Sequence, residues 1–192
     1  MDFDLQKKKY LGKIYKPDNS KKGTVDKQVS KLLDKINKLD DYYTTSSCAG
    51  RITLFIQAES DKKCDSGWLS VSHEPVNFKE VMSVLAELPK ETVWFRMESS
   101  ILHISCRDME AAEKMLMAVK CAGFKHSGIM DCSKRLMLEL ISSERMDVPI
   151  SKDKELLVSE DYIKFLIENA NKKLKKTREK IKKLEGLLKS LH

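Results

Sequence analysis

Residues 44–51 read TTSSCAGR, with four hydroxyl side chains, a thiol, a glycine and an arginine in eight positions. That combination suits capture of a polar ligand. Small residues leave backbone N–H groups accessible, and Ser46 and Ser47 can bind a carboxylate or a ribose through their own hydroxyls. Gly50 permits close backbone approach. Arg51 offers a forked donor to carboxylate or phosphate. The stretch links a predicted helix to a predicted strand, and it reads equally well as a ligand loop or as a capped turn entering a strand. A second candidate is His103. In SILHISCR it shares one strand face with Ile101 and Ser105, while Leu102, Ile104 and Cys106 share the other. A strand histidine there is either a general base near neutral pH or a structural residue. His73, at the end of WLSVSH, invites the same two readings. Asp26 falls in the first turn of a predicted helix, where the helix dipole already favours an acid.

Several chemistries are excluded. No two of the seven glycines are spaced G-x-G, and no G-x-x-x-x-G-K-[ST] occurs, so standard dinucleotide and phosphate-binding loops are absent. None of the four histidines is paired at metal-ligand spacing, and no metal is expected. The five cysteines are odd in number and form no C-x-x-C, which fits reduced thiols rather than a disulfide framework. Apart from Cys48 they read as small core residues. No apolar run approaches the roughly 20 residues that span a bilayer. The first residues are acidic and lack a signal-peptide apolar stretch, so the expected location is cytoplasmic, with no membrane partner.

The net charge of +7 is unevenly placed. Residues 1–40 hold 11 Lys and 6 Asp; residues 160–192 hold 10 basic and 5 acidic residues; the middle holds 15 basic and 18 acidic residues. Basic ends on a mildly acidic centre suit a phosphate polymer such as RNA, or simply solvated helix faces.

The elements follow from periodicity. A short helix is predicted over 3–15, then a break at Pro17, Asn19 and Gly23. Thr24 is the expected cap of a second helix carrying Val25, Val29, Leu32, Leu33, Ile36 and Leu39. Strands are predicted at 51–57, 67–73, 92–98 and 100–107, and further strands in SGIMDC and KRLMLEL. Asn77 caps a helix over 77–88, and Asp108 caps one ending near Gly123. Ser159 caps a last helix, whose stripe of Leu174, Thr177, Ile181, Leu184, Leu188 and Leu191 needs another helix of this chain or a second copy. The result is an α/β (mixed α+β) domain over 1–192. It has N-terminal helices over 1–41, a mixed-sheet core over 44–158, and a long basic helix over 159–192. The closeness of 92–98 and 100–107 is hairpin-like, which argues against a purely parallel sheet.

Taken together, TTSSCAGR resembles the signature (S/T)-x-S-S-C-x-G-R of the tRNA wybutosine-synthesizing protein 3 family. KGTVDKQV, WLSVSH, ILHISCR, AGFKHSGI and EDYIKFLIENANKKL resemble family segments in the family's order, so the resemblance covers nearly the whole chain. It implies an S-adenosylmethionine-dependent methyltransferase with a non-Rossmann fold, in line with the missing G-x-G. The implied acceptor is N4 of the wyosine-type base next to the anticodon of tRNA-Phe, with no obligatory protein partner. It implies a catalytic centre of Asp26 and His103, with His73 as a further candidate, and a cofactor site at Ser46, Ser47, Cys48 and Arg51. The basic helix, through Lys175, Lys176, Lys180 and Lys183, would then grip the RNA backbone. The rival readings are a non-catalytic basic RNA-binding module, a helix-mediated scaffold, and a thiol enzyme with Cys48 as nucleophile.

Overall fold

The structure is a computed structural model that describes residues 2–14, 25–57 and 66–191. The elements in order are α1 (Phe3–Leu11), α2 (Lys27–Lys38), β1 (Tyr42–Cys48), β2 (Arg51–Gln57), β3 (Gly67–Ser72), α3 (Phe78–Leu85), β4 (Thr92–Glu98) and β5 (Ile101–Cys106). They continue with α4 (Met109–Ala122), β6 (Gly128–Asp131), β7 (Leu136–Ile141), β8 (Met146–Lys152), β9 (Glu155–Leu156) and α5 (Glu160–Leu187), then a 3₁₀ turn at Leu188–Leu191. Among the described residues no helix is long and apolar enough to cross a membrane. Thr24, Pro17, Asn19, Gly23, Cys64, His192 and the side chain of Leu191 lie outside the described residues.

The mixed α/β class holds, but the strands form two antiparallel sheets rather than one mixed sheet. The chain divides into two compact units. The first comprises 1–49, 100–143 and 177–192; the second comprises 50–99 and 144–176.

The first unit is built on the sheet β1-β5-β7-β6. In α2, Val29, Leu32, Leu33 and Ile36 recur at helical spacing and are buried. They share one core with Leu102, Ile104, Leu138 and Leu140 of the sheet, with Ala112, Met115 and Val119 of α4, and with Ile181 and Leu184 of α5. Asp108 caps α4 as expected, its Oδ1 accepting the Ala111 N–H at 2.9 Å. Gly123 ends that helix at φ 101°, a left-handed conformation that suits glycine. Tyr42 and Tyr43 point to opposite faces of β1. Tyr42 donates to the Ala111 carbonyl on the α4 side, whereas Tyr43 donates to Gln6 of α1 and stacks with Tyr10.

The second unit is built on β3-β2-β4-β8-β9. Ile52, Leu54, Val93, Phe95 and Met97 form its core with Val81 and Leu85 of α3 and with Ile163, Leu166, Ala170 and Leu174 of α5. A capping box starts α3: the Asn77 side chain accepts from Glu80 N and Glu80 accepts from Asn77 N. Ser159 Oγ accepts the Tyr162 N–H at the start of α5, as expected. The apolar stripe of α5 is buried among this chain's own elements, so it requires no second copy.

Other expectations change. Thr44–Cys48 is strand, not loop. The segments 92–98 and 100–107 do not form a hairpin, because β4 and β5 lie in different sheets. Their connection, Ser99-Ser100, lacks the glycine or asparagine that a two-residue hairpin demands. The strands β8 and β9 are not anticipated by periodicity. Pro149 reads as a breaker, yet it lies on a stretch of β8 with no outer neighbour among the described residues, since β9 pairs only with Ser151 and Lys152. Among the described cysteines Cys106 is buried, but Cys121 and Cys132 are exposed rather than core.

Candidate active site

Strand β1 brings the signature serine against a histidine. Its register slips between Thr44 and Ser46, leaving Thr45 as a bulge. Asn37 of α2 anchors the start of this irregularity, accepting the Thr44 N–H at 2.8 Å and donating to Thr44 Oγ1 at 2.9 Å. After the slip Ser46 lies directly opposite His103, and His103 lies directly opposite Glu139 of β7. Directly opposed residues share a sheet face. The three side chains therefore form a row across three strands, on the face opposite the Leu102–Ile104 core. Ser46 Oγ is 2.7 Å from His103 Nδ1, and His103 Nε2 is 3.1 Å from Glu139 Oε1. An ionised Glu139 accepts the Nε2–H of the ring, which leaves Nδ1 of the neutral imidazole to accept the Ser46 hydroxyl proton. The row is a serine–histidine–carboxylate chain able to move a proton from an outward-facing hydroxyl.

Asp26 meets the same strand at its end. It occupies the N-cap position of α2, not the first turn, and makes no capping bond with its side chain. Its Oδ2 instead accepts the Ala49 N–H at 2.8 Å, and the residue is only 4% exposed. The Asp26 carboxylate and the Cys48 thiol lie within 4.8 Å of one another. Asp26 thus sits at the helix N-terminus, where the dipole favours an acid, and in addition pins the signature where β1 ends. Ser46 and Cys48 are two residues apart, about 7 Å along a strand. Gly50 follows with φ 90°, a value that favours glycine.

Arg51 opens β2 in the second unit. Its Nε pairs with Glu98 of β4, and its guanidinium lies 5.1 Å from the Trp68 ring centroid. His73 directly follows β3 and is half-buried. Of the four α5 lysines expected to grip RNA, Lys175, Lys176 and Lys183 are exposed. Lys180 is not: its Nζ donates to Ser143 Oγ at 2.9 Å, and its stem covers Gly123, where an added Cβ would come within 3.2 Å of Lys180 Cε. The structure thus assembles Ser46 with His103, and Cys48 with Asp26. It ties Arg51 to Glu98 and turns Lys180 into a brace over the end of α4.

Residues 5–190 match the family described as Methyltransferase TYW3. The chain belongs to that family. Among its relatives is the tRNA(Phe) 7-((3-amino-3-carboxypropyl)-4-demethylwyosine(37)-N(4))-methyltransferase of Thermococcus sibiricus, 40% identical over 191 residues, covering 99% of this chain and 96% of the relative. The same name is carried by a Methanocaldococcus jannaschii protein that is 39% identical over 161 residues, 83% of each chain. The PH1069 protein from Pyrococcus horikoshii has a similar solved structure, with a TM-score of 0.89 at 35% identity, covering 99% of this chain and 95% of that one. For a member of the TYW3 family, the unexpected residue of the row is Glu139. Its signal was present in KRLMLEL: a glutamate between Leu138 and Leu140 faces away from the core, and nothing in the sequence says that His103 lies beside it.

Proposed function

We propose that this chain transfers a methyl group from S-adenosylmethionine to N4 of the wyosine-type base in tRNA-Phe. The relatives' names specify the 3-amino-3-carboxypropyl form of that base, and the same acceptor is taken here. The observation that carries the reading is the row Ser46–His103–Glu139, with its serine inside the signature of a methyltransferase family.

The residues at the end of β1 fit the methyl donor. A buried carboxylate, Asp26, favours a cationic group, with Cys48 as a contact; the Ser46 oxygen can accept from a ribose hydroxyl, whereas Ser47, opposite Leu102, points to the other face of β1. The donor, when bound, supplies an electrophilic methyl on a positively charged sulfur. This chain's residues manage the proton that the acceptor nitrogen must lose. Ser46 Oγ takes that proton while passing its own to His103 Nδ1, and Glu139 balances the charge that the ring acquires. No covalent enzyme intermediate is required, so Cys48 is not a nucleophile in this scheme. Lys175, Lys176 and Lys183 are available to RNA phosphates; Lys180, held by Ser143, is withdrawn from that group.

Calorimetric titration with S-adenosylhomocysteine tests the reading. Saturable one-to-one binding, weakened by Ser46→Ala, is expected. Absence of heat both with and without tRNA-Phe would sink it in favour of a basic RNA-binding module.

A further inference from the structure

The five-stranded sheet has an outward face that the chemistry above does not use. Opposite its core, cross-strand register places Arg51 against Glu98, Thr53 against Arg96, and Phe55 between Trp68 and Trp94. Arg96 in turn faces Asp147 of β8. These are directly opposed pairs, so their side chains share one face. The rings and guanidinium groups interleave. Phe55 and Trp68 meet edge-on at 6.5 Å, Arg96 lies 4.2 Å from the Phe55 centroid and 5.5 Å from that of Trp94, and Arg51 covers Trp68. The face is open where it matters, with Trp68 36% and Val71 39% exposed. Arg145 extends it, its side chain 76% exposed and paired with Asp147 at 2.6 Å. Three guanidinium groups, Arg51, Arg96 and Arg145, stand against two carboxylates, Glu98 and Asp147. Thr53 Oγ1 and Trp94 Nε1, on the same side of the sheet, are buried atoms with no hydrogen-bond partner among the described residues.

Rings alternating with forked cations on an open sheet suit one ligand chemistry, an unpaired nucleic-acid strand. Its bases stack on aromatic and guanidinium planes, and its phosphates take the remaining guanidinium donors. An apolar protein partner would leave the arginines buried against it, and a purely anionic ligand would leave the rings unused.

We infer that this face is the platform on which unpaired nucleotides of the RNA substrate stack. The inference deepens the reading of RNA as substrate and rests on it. The carboxylates Glu98 and Asp147 hold the guanidinium planes in place before the RNA arrives. The lysines of α5 serve the phosphate backbone, whereas this face serves bases.

The only two tryptophans of the chain, Trp68 and Trp94, both lie on this face, so intrinsic fluorescence reports on it directly. The full chain is titrated with a labelled, unstructured ten-residue RNA and with a tRNA-Phe anticodon stem-loop, following label anisotropy and tryptophan emission together. Emission falls in step with anisotropy, and it does so with either tryptophan as sole reporter in Trp94→Phe and Trp68→Phe. Trp68→Ala weakens binding by about 10-fold, a typical loss for one stacked base. Arg145→Glu, at an exposed position that does not endanger folding, weakens it by about 5-fold at low salt. Anisotropy that rises without any change in emission overturns the proposal. So does an inorganic polyphosphate that quenches as well as RNA, and so does absence of RNA binding at low salt. Calorimetry with S-adenosylhomocysteine on the same preparation keeps the two readings apart. Cofactor heat without an emission response removes the platform and leaves the methyltransferase; quenching without cofactor heat does the reverse.

Discussion

On the four-stranded sheet, the row facing away from the core is Ser46, His103 and Glu139, joined by hydrogen bonds of 2.7 and 3.1 Å. On the five-stranded sheet the outward row is Phe55, Trp68 and Trp94, threaded with Arg51 and Arg96. Both sheets are antiparallel, and both bury one face in a core of branched aliphatic residues. The difference lies in the second face: on the four-stranded sheet part of it is buried under α1 at Tyr43, and the rest carries the relay. An antiparallel sheet that commits one face to its core leaves the other free to take any chemistry, at little cost in stability. Here one free face is built to move a proton and the other to stack rings.

That division can be broken experimentally, and the largest effect is expected at the relay. His103→Ala should reduce methyl transfer to the demethylated tRNA-Phe precursor by at least about 100-fold, the lower range for loss of a general base. RNA binding followed by tryptophan emission should be unchanged. A variant that loses both together would mean that the two faces do not act separately.

Glu139→Gln sharpens the assignment. It keeps the shape and a hydrogen-bond acceptor but removes the charge that balances the protonated ring. The expected loss is about 10- to 100-fold in kcat with KM nearly constant, the pattern of an interaction made only in the transition state. Glu139→Asp should recover part of the rate, while melting temperatures stay level across all three proteins. Equal rates in wild type and Glu139→Gln would reduce Glu139 to a surface partner.

Asp26→Ala should act on stability as well as on methyl-donor binding. It leaves the Ala49 N–H without its carboxylate at a buried position, which costs about 1–3 kcal/mol in urea unfolding. Ser46→Ala, at an exposed position, should leave the unfolding midpoint where it is. An Asp26→Ala protein as stable as wild type would contradict the pinning role.

The smallest effect concerns a residue behind the relay face. Cys106 is fully within the core of the first unit, and burial pushes its thiol from 9.0 up to about 12. A raised acid favours the protonated native state. Stability is therefore intact below pH 9.0, where folded and unfolded thiols are both protonated, and is lost as pH climbs from there toward about 12. Urea unfolding at pH 8 and pH 10.5 should show a drop that Cys106→Ala lessens. In the native protein at pH 8, a thiol reagent should modify the exposed Cys121 and Cys132 and spare Cys106.

The legible parts of the fold were those encoded locally. The caps Asn77, Asp108 and Ser159, the stop at Gly123 and the buried stripe of α2 all depend on residues within a turn or two of each other. The misread parts depend on distant partners. TTSSC looks like a loop because short hydroxyl residues have no strong strand signal, yet pairing with β5 makes it a strand. The β4–β5 connection looks like a hairpin until Phe95 and Leu102 are seen to enter different cores. Arg51 and Lys180 look available in sequence, and both are committed to partners far along the chain, Glu98 and Ser143.

By itself the sequence determined the kind of chemistry on offer: a serine-rich signature with an arginine, strand histidines that could serve as a base, no nucleotide-binding glycine loop, and basic ends. Those are properties of residue type and spacing, which the chain carries before it folds. Only the tertiary structure decided the arrangement. It made the signature a strand, set His103 between Ser46 and Glu139, fastened Asp26 to Ala49, and gathered both tryptophans on one face. The physical reason is that cross-strand register is fixed by which apolar face each strand buries, and a slip of one residue reverses every side chain. That choice is made by the cores of the two units together, not by any one segment.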